Sequence, residues 1–445
     1  MLIYFIFVLL FFGFLHLIKD SVSRIFIWSF CAVWSGTIIL SQFGFYGLYI
    51  PSNLTISLVS VHLMSFCAGF LLVREKNKPN TFSIHHVSSH INDYIKEIVH
   101  NKYFLALFFI LLVYVFTLYR KLNALIMFTD SLGEVRGRFY EENIYGPYYT
   151  MLNKFILYPF SSILLFAWGY MTLKSRNIYW LIFGIFLFLY FSLSGGRFGY
   201  MRIFISFIFA WQLLGEGVSR IHHFFSKKTI WIAAISVAVY FLMVFMTNAR
   251  LGYYTEAQSF DKENIEKGNI HMVSYYVGPI IALDHAITHD YPSKMGGYKY
   301  GALTFSSLEE FFAMFAFKLQ PGYQRPILDY IRVVQDVKID VGPSTWNALY
   351  TWCLFFYCDF GVIGFVIFPF LFGLFYRKVI FYCSNTANIY SLSLLCFIFV
   401  DLVLTPIKFG WQSYTILLMM LFFYYMSNRT AKINKSIKKL LSDKK

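Results

Sequence analysis

Runs of about 20 consecutive apolar residues recur along this chain, and a helix of that length spans the roughly 30 Å hydrocarbon core of a bilayer. A water-soluble fold cannot bury so many of them. Composition agrees, with 58% of the 445 residues hydrophobic, 22% aromatic and only 14% charged. The runs place spans near 2–18, 25–41, 54–73, 103–119, 155–173, 179–194, 199–215, 230–247, 352–375, 389–405 and 412–427. The expected fold class is therefore an all-α polytopic membrane protein of about eleven transmembrane helices. The first run has no basic leader and no small-residue cleavage pattern before Lys19, so it reads as a retained helix rather than a signal peptide.

Orientation follows from the basic residues, because Lys and Arg near short loops stay on the cytoplasmic side. Alternate segments hold Lys19 and Arg24; Arg74, Lys76, Lys78, Lys96 and Lys102; Lys174 and Arg176; Arg220, Lys227 and Lys228; Arg377 and Lys378; and the tail from Arg429 to Lys445. Together these are more than half of the 38 Lys and Arg, whereas the short loops of the opposite face carry only Arg197 and Lys408. The expected arrangement has the N-terminus outside, a basic cytoplasmic tail at 428–445, and two longer outer segments, 120–154 and 248–351, inserted into one transmembrane domain covering 1–445. The net charge of +15 lies mostly in the cytoplasmic loops and tail. It points to anionic lipid headgroups and argues against nucleic acid.

The six cysteines, Cys31, Cys67, Cys353, Cys358, Cys383 and Cys396, form no CxxC pair and read as small apolar packing residues. The sequence has no internal repeat, Walker-type glycine loop, HExxH or Cys/His metal cluster, so no metal or nucleotide cofactor is expected. His85, His86, His90 and His100 lie in a cytoplasmic loop without ligand spacing.

The segment 248–351 is too long for a simple connection and too aromatic for a disordered one. Ser307 and Glu310 have capping-box spacing before the apolar run Phe311 to Phe317, and Met272 to Ile287 has a helical apolar rhythm. Short helices forming a roof over the bundle are expected there. Arg197 stands in Ser194-Gly195-Gly196-Arg197, a hairpin tip between two spans, and Arg250 follows the span at 230–247. A guanidinium fork matches phosphate oxygens, and a glycine turn lets backbone N–H groups approach an anion. The competing role is snorkelling to lipid headgroups. Arg136 and Arg138 add charge in the other outer loop, beside Glu134, Glu141 and Glu142, and Arg325 stands in Gly322-Tyr323-Gln324-Arg325-Pro326. Tyr253, Tyr254, Tyr275, Tyr276, Trp346 and Tyr350 are suited to stack on sugar faces, although aromatic belts mark every membrane interface.

Asn347-Ala348-Leu349-Tyr350-Thr351-Trp352 is followed by Tyr357-Cys358-Asp359-Phe360-Gly361, Gly364 and Gly373. With the Ser-Gly-Gly-Arg hairpin and the large late outer loop, this resembles the Wzy-type O-antigen polymerases, or oligosaccharide repeat-unit polymerases. Gly196 stands where that pattern often has Ser. The resemblance implies a C-type glycosyltransferase-like membrane fold in the bacterial inner membrane. Its activity would be a metal-independent, periplasmic transfer of a growing glycan from one undecaprenyl pyrophosphate onto a lipid-linked repeat, with room for a chain-length-regulating partner. It also implies that Arg197 and Arg250 hold the donor pyrophosphate; Arg136, Arg138, Arg325, Trp346, Asn347 and Tyr350, all in the outer segments, are the candidates for contact with substrate.

The chemistry fits, since breaking the anomeric C–O bond leaves negative charge on pyrophosphate that fixed arginines stabilise. Candidates for a base are His271, His285, His289 and Asp359. Asp359 is expected about two turns inside the span at 352–375, where its alternative role is to pack against Lys408, Arg202 or a backbone group. An O-antigen ligase and a flippase or transporter remain the alternative functions, the latter weakened by the lack of related halves.

Overall fold

The computed structural model describes residues 18, 20–73, 95, 98–126, 134–135, 145–174, 178–193, 198–213, 237, 240–241, 244–245, 262–312, 339–342, 345–346 and 351–442. In chain order the helices are α1 (Ser21–Gln42), α2 (Asn53–Leu72), α3 (Lys102–Ile126), α4 (Pro147–Leu152), α5 (Tyr158–Lys174), α6 (Ile178–Ser192), α7 (Phe198–Leu213), α8 (Lys262–Thr288), α9 (Tyr291–Lys294), α10 (Ser306–Phe312), α11 (Trp352–Thr386), α12 (Ile389–Leu404) and α13 (Tyr414–Ser442). Among the described residues, an antiparallel ladder of β1 (Ile339–Asp340) and β2 (Thr345–Trp346) departs from the all-helical expectation.

Five helical stretches are long and apolar enough to cross a membrane: Ser21–Gln42, Asn53–Leu72, Lys102–Ile126, Tyr148–Leu173 and Trp352–Thr386. Shorter apolar helices stand at Ile178–Ser192, Phe198–Leu213 and Ile389–Leu404. The expected span at 2–18 lies outside the described residues except Ile18, as does most of 230–247.

The chain divides into two compact units: 1–83, 273–385 and 401–426 form the first, and 84–272, 386–400 and 427–445 the second. In the first unit Asp20 caps α1, its carboxylate accepting from the Ser23 amide at 2.8 Å, and also pairs with Arg377 at 2.6 Å. This defines one face of the unit, the Asp20 face. At the opposite face Ser52 caps α2, accepting from the Thr55 amide at 3.3 Å. Between the faces, α2 and α11 approach backbone to backbone. A Cβ at Gly69 would strike the Phe370 carbonyl, and one at Gly373 would strike the Phe66 carbonyl. Small residues permit such close helix packing in lipid. Around the contact lies an aromatic core in which Trp34, Phe66, Phe70, Trp352 and Tyr376 are fully buried. His62 sits inside it, 4.9 Å from the Trp352 ring and 5.6 Å from that of Trp34.

The 35-residue α11 is not one straight rod. Twenty residues of helix would separate Trp352 from Phe372 by about 30 Å, yet their rings lie 5.7 Å apart. Phe356 similarly reaches Phe368 at 5.1 Å. The chain reverses at Gly361, whose φ of 60° and ψ of −143° belong to a region reserved for glycine. Residues 352–360 and 362–386 therefore form a helical hairpin, and only the second arm is long enough to cross the bilayer. Gly364 lets the arms close, because a Cβ there would strike the Phe356 carbonyl.

In the second unit α5 packs against α6 and α7. Gly169 brings α5 onto Ser206 and Ala210 of α7, while the Trp180 indole of α6 donates to Thr172 at 2.7 Å. Phe108 of α3 meets Phe183 and Phe186 of α6 at 5.0 and 5.6 Å. Asn388 and Ser391 cap α12 reciprocally, with the Ser391 amide donating to Asn388 at 3.0 Å and the Asn388 amide to Ser391 at 2.8 Å. All six cysteines are free and buried, as packing residues would be.

Candidate functional site

The hairpin tip organises the Ser52 face of the first unit. Reversal at Gly361 strips the carbonyls of Cys358 and Asp359 of helical donors. The amides of Lys299 and Tyr300 take their place at 3.2 and 3.1 Å. The fully buried Asp359 carboxylate accepts from the amides of Leu303 and Thr304 at 3.1 and 2.6 Å. Asp359 thus stands beside a reversal rather than two turns inside a straight span, and of its expected partners the structure shows backbone. Its carboxylate clamps the 299–304 turn to the hairpin. That turn uses left-handed backbone at Tyr300 and Gly301, and the residues leading into it do so at Gly296 and Gly297. Tyr298 lies over Gly361, and Tyr300, 78% exposed, meets the Phe360 ring edge-on at 6.1 Å.

Beside this clamp ends α8. Asp284 accepts from the Ser52 amide at 3.1 Å and the Thr55 hydroxyl at 2.6 Å, and from the Ser52 hydroxyl as well. A carboxylate is favoured there by the positive end of α2. The neighbouring His285 places its Nδ1 3.2 Å from the Tyr291 hydroxyl. The His289 ring stacks on that of His285 at 3.9 Å, with its Nδ1 2.9 Å from the His285 carbonyl. Partial burial holds the His285 pKa below its ordinary value, the charges of His289 and Lys294 push the same way, and Asp284 opposes them. Burial raises the Tyr291 pKa to about 12. The result is a neutral imidazole, a competent proton acceptor, one helical turn from an exposed second histidine. His271, the other histidine singled out, lies further back on α8 and is half-buried.

The ladder joins the same face. The Tyr49 amide donates to the Val341 carbonyl at 3.0 Å, and its hydroxyl to Asp340 at 2.8 Å. The amide of Gly342 and the Tyr49 hydroxyl hold the Asp340 pKa below its usual value. Trp346 pairs with Ile339 through its backbone. The capping box expected from Ser307 and Glu310 takes another form: Ser307 is already inside α10, and Glu310 accepts from the Tyr414 amide at 3.1 Å.

In the second unit, tyrosines bond the described residues that flank positions 194–197 in the sequence. Tyr145 donates to the Leu193 carbonyl at 3.0 Å, and Ser192 and Tyr200 share a hydrogen bond of 2.6 Å. A π-turn at Asn153–Leu157 precedes α5, and Asn153 accepts there from the Tyr190 hydroxyl at 2.7 Å. Arg202 bonds the Tyr158 hydroxyl and lies over its ring at 5.0 Å. Such π-turns are frequent at functional sites.

No protein-family model, curated protein or solved structure matches the chain. Arg197, Arg250, Arg136, Arg138, Arg325, Asn347 and Tyr350 lie outside the described residues, as do Tyr253 and Tyr254. The structure stacks His289 on His285 and clamps Asp359 to the 299–304 turn, both at the Ser52 face. Sequence reasoning missed the reversal at Gly361. The signal for it was the group Asp359, Gly361 and Gly364, which interrupts the apolar run from Trp352 to Tyr376.

Proposed function

We propose that the chain is a glycosyltransferase that polymerises undecaprenyl-pyrophosphate-linked oligosaccharide repeats into O-antigen or a similar surface polysaccharide, at the periplasmic face of the bacterial inner membrane. The observation that supports this most is the hairpin tip. The letters Tyr357-Cys358-Asp359-Phe360-Gly361, which carry the resemblance to repeat-unit polymerases, form one clamped structure with the long loop that the same resemblance requires. In this reading the Ser52 face is periplasmic, Arg197 and Arg250 hold the donor pyrophosphate, and the neutral His285 receives the proton of the acceptor hydroxyl. Asp359 acts as a positioning residue through its clamp.

The test is a deletion strain complemented with Arg197 variants, its surface glycan resolved on a gel and membrane levels matched. Arg197→Ala abolishes the ladder while leaving a single repeat on the core. Arg197→Lys impairs it as well, because one ammonium does not reproduce a planar fork. A normal ladder from Arg197→Ala would remove the pyrophosphate role. Loss of all attached repeats would point to a ligase, and loss of exported repeats to a flippase.

A further inference from the structure

Two histidines close α8 at the spacing with which a helix offers two rings to one ion. His285-Ala286-Ile287-Thr288-His289 sets the imidazoles four residues apart, on one helical face. His289 stands just past Thr288, yet its amide still donates to the His285 carbonyl at 3.0 Å, so the helical spacing holds across the pair. The ring centroids are 3.9 Å apart. Two imidazole nitrogens on one ion, each at about 2.0–2.1 Å, lie no more than about 4.2 Å from one another, so the rings are already gathered to that span. Each ring is also held by its Nδ1, which lies 3.2 Å from the Tyr291 hydroxyl in His285 and 2.9 Å from the His285 carbonyl in His289. Outer bonds of this kind orient ligating imidazoles, and they make Nε2 the atom each ring presents. The rings stack at 21°. A swing of the exposed His289 ring turns both lone pairs onto one ion at the cost of little more than that stack.

We infer that His285 and His289 form a two-histidine clip for a borderline divalent cation, Zn²⁺ or Ni²⁺, whose remaining positions are filled by water. Imidazole selects such ions over Mg²⁺ and Ca²⁺, which take oxygen ligands. Among the described residues no third His, Cys, Asp or Glu completes the set, so the ion exchanges with solvent. Ala286 stands where a hydrolytic zinc helix of this spacing carries its Glu base. A bound ion therefore has no base beside it on the helix and serves as a reversible block rather than a catalyst. The proposed function needs no metal, but it sends a proton to His285, and an ion on that ring takes up the lone pair that receives it. The clip itself does not rest on that reading.

The full chain, purified in detergent through a tag free of histidine and stripped with a chelator, tests this by equilibrium dialysis against zinc chloride. The wild type binds one zinc ion more than His289→Gln or His285→Gln, whereas His271→Gln, further back on the same helix, binds as the wild type does. His289 is exposed, so His289→Gln keeps the fold, and matched thermal melts in chelator verify it. Tyr291→Phe keeps both ligands but removes the outer bond to His285, and it weakens zinc binding about 10–100-fold. A double variant, Thr288→His with His289→Gln, keeps the number of histidines but moves the second ring about 100° around the helix, and it does not restore the site. Equal zinc binding by the wild type and His289→Gln would overturn the inference. Full restoration by the displaced histidine would also overturn it, by showing unspecific surface binding. None of these measurements reads polymer, so failure of the polymerase reading leaves the clip standing, and loss of the clip leaves that reading untouched.

Discussion

At the scale of single residues, two carboxylates illustrate how far chemistry can be read before geometry is known. Asp359 was legible as a group too costly to stand idle in an apolar run, but its partners lie more than 50 positions away in a segment with no matching pattern. Glu310 had the spacing of a local cap and instead serves the amide of Tyr414, because long-range packing outcompetes a short-range signal wherever a helix end is buried. His285 offers a test of the proton-acceptor assignment. Its pKa is lowered in the folded chain, so below the ordinary histidine value of about 6.5 the unfolded chain binds more protons. Stability from this group is therefore present above that value and is lost as pH falls through the folded pKa. Thermal melts in detergent between pH 7.5 and 5.5 would show a decline that His285→Gln flattens. The groups facing it are Asp284, His289, Tyr291 and Lys294, and an unchanged slope would remove the assignment of the decline to His285.

At the scale of elements, apolar runs located the five helices long enough to cross a membrane, since burial in lipid depends on composition over a whole turn and not on any single partner. They failed where one residue changes the direction of the chain. Nothing in an apolar count distinguishes Gly361 from Gly36, yet a Cβ added at Gly36 would meet nothing within 4 Å, whereas a Cβ on Gly361 would lie 2.8 Å from the Tyr298 hydroxyl at a φ of +60°. Gly361→Ala is expected to destabilise by about 1–3 kcal/mol from backbone strain alone. Gly36→Ala, inside α1, is expected to be neutral or to stabilise by up to about 1 kcal/mol. Paired thermal unfolding of the two variants in the same detergent decides the matter. Equal behaviour would mean that α11 does not reverse, and the clamp by Asp359 would lose its basis. The letters Gly364 and Gly373, seen in the sequence only as part of a pattern, have a plain physical purpose: each admits a backbone carbonyl, that of Phe356 within the hairpin and that of Phe66 across to α2.

At the scale of the whole molecule, the orientation expected from charge makes one demand on the first unit, that its basic segments share a face. Arg24 donates to the Ile18 carbonyl at 2.8 Å beside the start of α1, and Arg377 pairs with Asp20 there. Two basic segments that the sequence assigned to the cytoplasm, one around Arg24 and the other at Arg377 and Lys378, thus share one face. The clamp, His285 and the ladder share the opposite one. Basic residues flanking spans are retained in the cytoplasm, so the face holding the candidate chemistry is expected outside. Alkaline phosphatase reports this directly, because it folds only where its disulfides form. A fusion at Asp261, just before α8, should be active, and one at Asn80, after α2, should be inactive at matched expression. The two positions are separated by an odd number of crossings in this arrangement, so a uniform error in orientation would exchange the two results. Activity at both would mean a miscounted span between them. Activity at Asn80 alone would turn the Asp359 clamp and His285 toward the cytoplasm, where no lipid-linked repeat awaits polymerisation, and the proposed function would fall with it.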